Sequence, residues 1–155
     1  MAQDPEPTRE GTLNPVNIAA LELAEFQAAD DEKVRWTGGF FAYGGAGSSR
    51  SATIYFEVAP GERLGRHTDT VEETQFIAGG SGELLLDDGP RPMKTGDVVV
   101  LPEGTWHDLS NTGTEPLRVI GFFSGPAVNQ HWDDVMLPPN SRVTGSPNAP
   151  NAPES

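Results

Sequence analysis

Cysteine is absent from the 155 residues, which removes disulfide scaffolds, zinc ribbons and thiol nucleophiles from consideration. Positive charge is scarce: ten Lys and Arg stand against 23 Asp and Glu, giving a formal net charge of −13. Binding to a phosphate backbone depends on clustered cations that displace counterions, so nucleic acid is not an expected partner. The acid excess reads as a solvated surface. Long apolar runs are missing too. Stretches such as Val98 to Leu101 fall far short of the roughly 20 residues needed to span a bilayer. No basic start followed by an apolar block marks a signal peptide. These absences lead us to expect a soluble, cytoplasmic protein with no membrane partner. Helical periodicity is weak as well. Only Ile18, Leu21, Leu23 and Phe26 approach it, a spacing that fits either a short helix or a strand and turn.

What is present is a series of short apolar or alternating runs punctuated by glycine and proline. Trp36 to Tyr43, Ser51 to Ala59, Glu73 to Ala78, Glu83 to Leu86, Asp97 to Leu101, Trp106 to Ser110 and Leu117 to Phe123 all read as strands, with Asp97 to Leu101 expected to be buried. The turn at Pro60-Gly61 calls for positive φ at its second residue. Many strands at close spacing indicate an all-β sandwich or barrel. The length suits one domain, placed at residues 13–137. Residues 1–12 are expected to form a disordered arm, and the Pro- and Asn-rich residues 138–155 a disordered tail. Val128 to Met136 is expected to cover a barrel edge as a short helix or loop, with His131 and Trp132 as a conceivable lid.

The chemistry concentrates between residues 61 and 111. One stretch runs Gly61-x5-His67-x-Asp69-x3-Glu73-x6-Gly80, and a second runs Gly96-x5-Pro102-x-Gly104-x2-His107-x3-Asn111. Residues two apart on a strand share a face, so His67 and Asp69 project together, with Glu73 in phase if pairing continues. His107 must arrive from a neighbouring strand. Opposed Cβ atoms in a sheet lie roughly 4.5 to 5.5 Å apart, a separation from which several side chains can converge on one ion. Two of the three histidines in the chain sit at these positions. Gln75 shares the parity of Glu73 and is expected to face the same interior. Glu72 should face outward, Trp106 should pack in the core or at the rim, and Tyr55 should pack.

The two stretches resemble the paired signature motifs of the cupin superfamily. The second fits at every specified position; the first departs only at Asp69, where the family usually places a histidine. The resemblance implies a jelly-roll barrel (double-stranded β-helix) with a mononuclear divalent metal in its mouth, held by His67, Glu73 and His107 and, if it ligates, Asp69. Two carboxylates would cancel the charge of a divalent ion. Their harder oxygens favour iron or manganese, with zinc or nickel as alternatives. The resemblance further implies an enzyme acting on a small organic acid, enol, diketone or phenol. It would be a dioxygenase-like oxidoreductase, or a non-redox isomerase, lyase or cyclase in which Glu73 or Gln75 steers a proton. A non-catalytic small-ligand or metal-binding role, in sensing or storage, is the competing reading. A homodimer is expected from the same resemblance.

Overall fold

The computed structural model describes residues 13–149, so the expected N-terminal arm and the last six residues lie outside it. Thirteen strands follow in order: β1 Ala24–Ala28, β2 Arg35–Gly44, β3 Gly47–Ser48, β4 Ala52–Val58, β5 His67–Asp69, β6 Glu73–Gly79, β7 Ser81–Leu86, β8 Gly89–Lys94, β9 Val98–Leu101, β10 Asp108–Ser110, β11 Leu117–Phe123, β12 Asn129–Leu137 and β13 Ser141–Gly145. Among the described residues the only helix is one 3-10 turn at Ile18–Ala20. Its N-cap Asn17 accepts a hydrogen bond from Ala19 N at 2.8 Å. The ambiguous segment from Asn17 to Ala29 thus resolves into that turn followed by β1.

One sheet runs β13-β12-β1-β2-β4-β11-β6-β9, with β3 added to β2 and β5 added to β12; a second runs β10-β7-β8. All these pairings are antiparallel except β2 with β3. Bridges from His67 to His107 and from Arg63 to Ser110 join the sheets, closing an all-β jelly-roll barrel. Alternation on β4 sends Ala52, Ile54, Phe56 and Val58 inward, and β11 contributes Leu117, Val119 and Phe123 to the same core. Each carries enough apolar area to stabilise the barrel by roughly 1.5–3 kcal/mol when fully buried, alanine excepted.

Three expectations need correction. Val128 to Met136 is neither helix nor loop but lies almost wholly within strand β12, paired with β1, β5 and β13. The expected tail supplies β13: Pro138, Pro139 and Asn140 form a turn, after which Ser141 and Thr144 are buried against β12. Proline signalled an end to structure where it makes a hairpin turn. Residues 89–94 form β8, a strand that the runs read from the sequence do not include; its prolines are tolerated because β8 is an edge strand, where an N–H need not be donated. Strand β9 is present but buried on one face only, through Leu101 and in part Val99. Val98 is 58% and Val100 53% exposed, because β9 is an edge strand whose outer face nothing covers.

A polar clasp sets the register between the sheets. The buried Asp108 accepts from Gly65 N and Leu109 N, both at 2.7 Å, and from Arg63 Nη1 at 2.6 Å. Arg63 also reaches Asp31 at 2.9 Å. Asn111 donates to Val58 O and Glu115 O and accepts from Gly113 N, each at 2.8 Å, so its side chain is a strut. Gly61 turns with φ +83°, as the Pro60-Gly61 pair requires, and donates to Asn111 O at 3.1 Å. Asp108→Ala orphans two buried N–H groups and is expected to cost about 3 kcal/mol, read as a lower urea midpoint. An unchanged midpoint would show the clasp to be idle.

Candidate metal centre

Strand β5 carries His67 and Asp69, and alternation turns both inward, with Thr68 between them half-buried. Strand β6 supplies Glu73 and Gln75 from its inward face, and His107 stands opposite His67, exchanging backbone hydrogen bonds at 2.9 and 3.0 Å. All five side chains are buried, none more than 4% exposed. Asp69, the residue that departs from the cupin motif, lies at the centre. Its Oδ1 is 3.6 Å from His67 Nε2 and its Oδ2 is 3.5 Å from His107 Nε2, while Glu73 Oε1 is 3.7 Å from His107 Nε2. Donors each about 2.1 Å from one ion stand about 3.0 to 3.4 Å apart at octahedral to tetrahedral angles, so these three contacts need to close by only a few tenths of an ångström; the ligand atoms of His67, Asp69 and His107 all lie within 4.8 Å of one another, with Glu73 beside His107.

The tautomers follow from the partners. His67 Nδ1 lies 2.9 Å from Gly65 O and His107 Nδ1 lies 2.9 Å from Thr105 O. A carbonyl can only accept, so each Nδ1 carries a hydrogen, and each ring when neutral offers an Nε2 lone pair to the centre. Trp132 stacks on His67 at 4.2 Å and 27°, which holds the imidazole plane. Both Asp69 oxygens and His107 Nε2 are buried without a hydrogen-bond partner. Orphaned acceptors cost free energy unless something satisfies them. Burial holds the His67 pKa well below its usual value, helped by His107. Burial, reinforced by the Glu73 charge, pushes Asp69 well up. Burial opposes charge on His107, but Glu73 and Asp69 outweigh it and raise its pKa to about 9. No hydrogen bond joins His107 Nε2 to either carboxylate, so their charge, not a bond, retains the proton.

Several supporting groups gave no signal that the sequence reading used. Gly121 on β11 faces Gln75, and a Cβ there would collide with Glu73 Oε2 and lie 2.9 Å from Ile54 Cγ2. A glycine inside an otherwise continuous strand run was the available clue. Gly121→Ala is expected to displace the Glu73 carboxylate and weaken metal binding by about 10- to 100-fold; undiminished affinity would mean Glu73 has no fixed seat. Gln130 on β12 faces Asp69 in register. Trp132 Nε1 donates to Thr144 Oγ1 at 2.8 Å, and Thr144 donates to Gln130 Oε1 at 2.7 Å. Because an indole N–H only donates, this chain turns the Gln130 NH2 toward Asp69. Trp132 is therefore the wall behind His67, not a lid, and His131 is exposed on the other face. Trp106 lies at the rim under Arg66, 4.2 Å from the ring centroid. The buried Tyr55 donates to Glu57 at 2.6 Å, away from the centre.

Comparison with known proteins agrees with this architecture. Residues 54–123 match the cupin domain family. The chain is 37% identical to Protein SchB of Streptomyces halstedii over 70 residues, 44% of this chain and 50% of that protein. It is 31% identical to a gentisate 1,2-dioxygenase of Ralstonia sp over 124 residues, 76% of this chain and 34% of the dioxygenase. The matches thus span half or less of these relatives. A cupin-superfamily sugar phosphate isomerase from Silicibacter pomeroyi superposes with a TM-score of 0.59 at 15% identity, covering 92% of this chain and 97% of that one, a likeness of fold alone. The chain is a small cupin-fold protein with a His/Asp group suited to a divalent metal. Among the described residues no helix is long and apolar enough to cross a membrane.

Proposed function

We propose that the protein is a metal-dependent cupin enzyme acting on a small organic molecule, with one divalent ion, iron or manganese, held by His67, Asp69, Glu73 and His107. The observation that carries this reading is the convergence of His67, Asp69 and His107 on one buried point, with Glu73 3.7 Å from His107 Nε2 and both Asp69 oxygens otherwise unpartnered. Oxygen-rich donors favour iron and manganese over copper. A bound ion would supply Lewis-acid polarisation of a substrate oxygen and, for iron or manganese, a redox couple.

The protein's own groups do the rest. Gln75 Nε2 donates to Glu73 Oε1 at 3.3 Å, steadying that carboxylate, while Gln75 Oε1 is buried and unpaired, free to accept an O–H. That hydrogen bond and the unpaired oxygen support a role for Glu73 and Gln75 in steering a proton between substrate atoms, useful to oxygenase and isomerase chemistry alike. The similarity to a gentisate 1,2-dioxygenase supports an oxygen-dependent reaction. Metal analysis after loading with iron or manganese tests the reading: one equivalent per chain is expected, and a protein that takes up neither ion would overturn it in favour of a metal-free ligand carrier.

The reading includes a homodimer. Phe76, Val98, Val100 and Phe122 are 41–58% exposed and adjacent by register on the outer face of β11, β6 and β9, an apolar face beside a free sheet edge. Light scattering should give twice the chain mass, falling to the monomer in Val100→Lys; a monomeric wild type would contradict it.

A further inference from the structure

We infer that the cavity beside the metal centre takes the ring of an uncharged, flat, oxygen-bearing molecule, and rejects organic acids and phosphorylated compounds. The inference deepens the function proposed above and rests on it for the role of the cavity as a substrate site. The cavity, about 210 Å3, is lined chiefly by Phe26, Trp36, Phe40, Ile54, Gln130 and Thr144. Two of these residues form its wall toward the centre. Gln130 opposes Asp69 in register, and Ile54 meets the same Gly121 seat that holds Glu73.

Size, shape and charge each narrow the occupant. Apolar cavities of about 150 Å3 take up benzene, so this one has room for a single ring bearing one or two substituents. Phe26 lies stacked on Trp36 at 4.3 Å and 18°, and Phe40 leans on Phe123 at 5.9 Å, so the walls are aromatic faces suited to a planar guest. Among the described residues, none that lines the cavity is charged. A carboxylate or phosphate entering it would lose its water with no cation to replace it. Nor would the metal centre supply spare positive charge, because two carboxylates balance a divalent ion. Gln130 and Thr144 are the polar side chains that line it, besides the Trp36 indole. Thr144 spends its hydrogen on Gln130 and one lone pair on Trp132, leaving the Gln130 NH2 as the donor at the wall. The matching group on the guest is a neutral oxygen acceptor, a carbonyl or hydroxyl, directed toward Asp69.

Benzamide and benzoate share a shape and a carbonyl oxygen and differ in charge, so the pair isolates the claim. Calorimetric titration of the full-length protein, both metal-free and manganese-loaded, is expected to show benzamide binding about tenfold or more tighter than benzoate in the metal-free protein. Phe26→Lys places an ammonium at the rim, with its stem over Trp36, and is expected to narrow that ratio to within about threefold by raising benzoate affinity. Equal or tighter binding of benzoate by wild type, or binding of neither probe, would overturn the inference. Benzamide binding by a protein that takes up no metal would sink the enzyme reading and leave the cavity assignment standing. Metal uptake with a preference for benzoate would do the reverse.

Discussion

His67→Ala and His107→Ala are each expected to lower affinity for manganese or iron by more than about 100-fold, since loss of a group that merely supports a ligand already costs 10- to 100-fold. Each removes an Nε2 donor whose orientation is set at the other ring nitrogen, by Gly65 O and Thr105 O. Among the described residues the nearest unpaired carboxylate oxygens, those of Asp69, are already part of the proposed set. Both variants should retain a cooperative unfolding transition, because the barrel core lies in the apolar residues of β4, β6 and β11 and not in the imidazoles. The two differ in proton release. In the metal-free protein His107 has a pKa of about 9, so metal uptake at pH 7 must expel its proton, and wild-type affinity should rise with pH until about 9. His107→Ala removes its share of that dependence and leaves the share of Asp69, whose pKa burial pushes up, whereas His67, held neutral by burial, contributes none. Titration calorimetry in buffers of different ionisation enthalpy reads the proton directly; equal proton release by wild type and His107→Ala would refute the assignment.

Asp69 yields the second large effect. Asp69→Asn keeps the shape but removes a charge from a point where two imidazoles and a second carboxylate converge, and is expected to reduce metal affinity by about 10- to 100-fold. Asp69→His should instead keep the ion while adding a unit of positive charge to the centre, from neutral to plus one for a divalent metal. Loss of a carboxylate that favours the oxidised ion should raise the reduction potential of bound iron. A potential unchanged in Asp69→His, together with wild-type affinity in Asp69→Asn, would show Asp69 to be a bystander.

How much of this was legible without coordinates depends on what kind of signal each residue carries. The strands with uninterrupted alternation, Ala52–Val58 and Leu117–Phe123, could be read almost to the residue because period two is a local property of the chain. The inward phase of His67, Asp69, Glu73 and Gln75 followed from the same parity, and their burial matches it. Strands β8, β12 and β13 were not readable. Their composition is proline-rich or polar, and their pairing is decided by partners distant in sequence, as when β12 finds β5 some 60 residues upstream. The shell that orients the centre fell in that blind region. Gln130, Trp132 and Thr144 owe their roles to a hydrogen-bond chain between two strands, and no spacing rule anticipates it. The exposure of Val98 and Val100 was hidden for a related reason: a β-branched run looks alike at a buried centre and at an uncovered edge.

The central claim is that one ion sits between four named side chains. Anomalous diffraction from crystals of manganese-loaded protein tests it most directly. The structure predicts a single strong peak about 2.0 to 2.3 Å from His67 Nε2, His107 Nε2 and a carboxylate oxygen of both Asp69 and Glu73. A loaded crystal with no peak there, or with a peak bound by other residues, would contradict it.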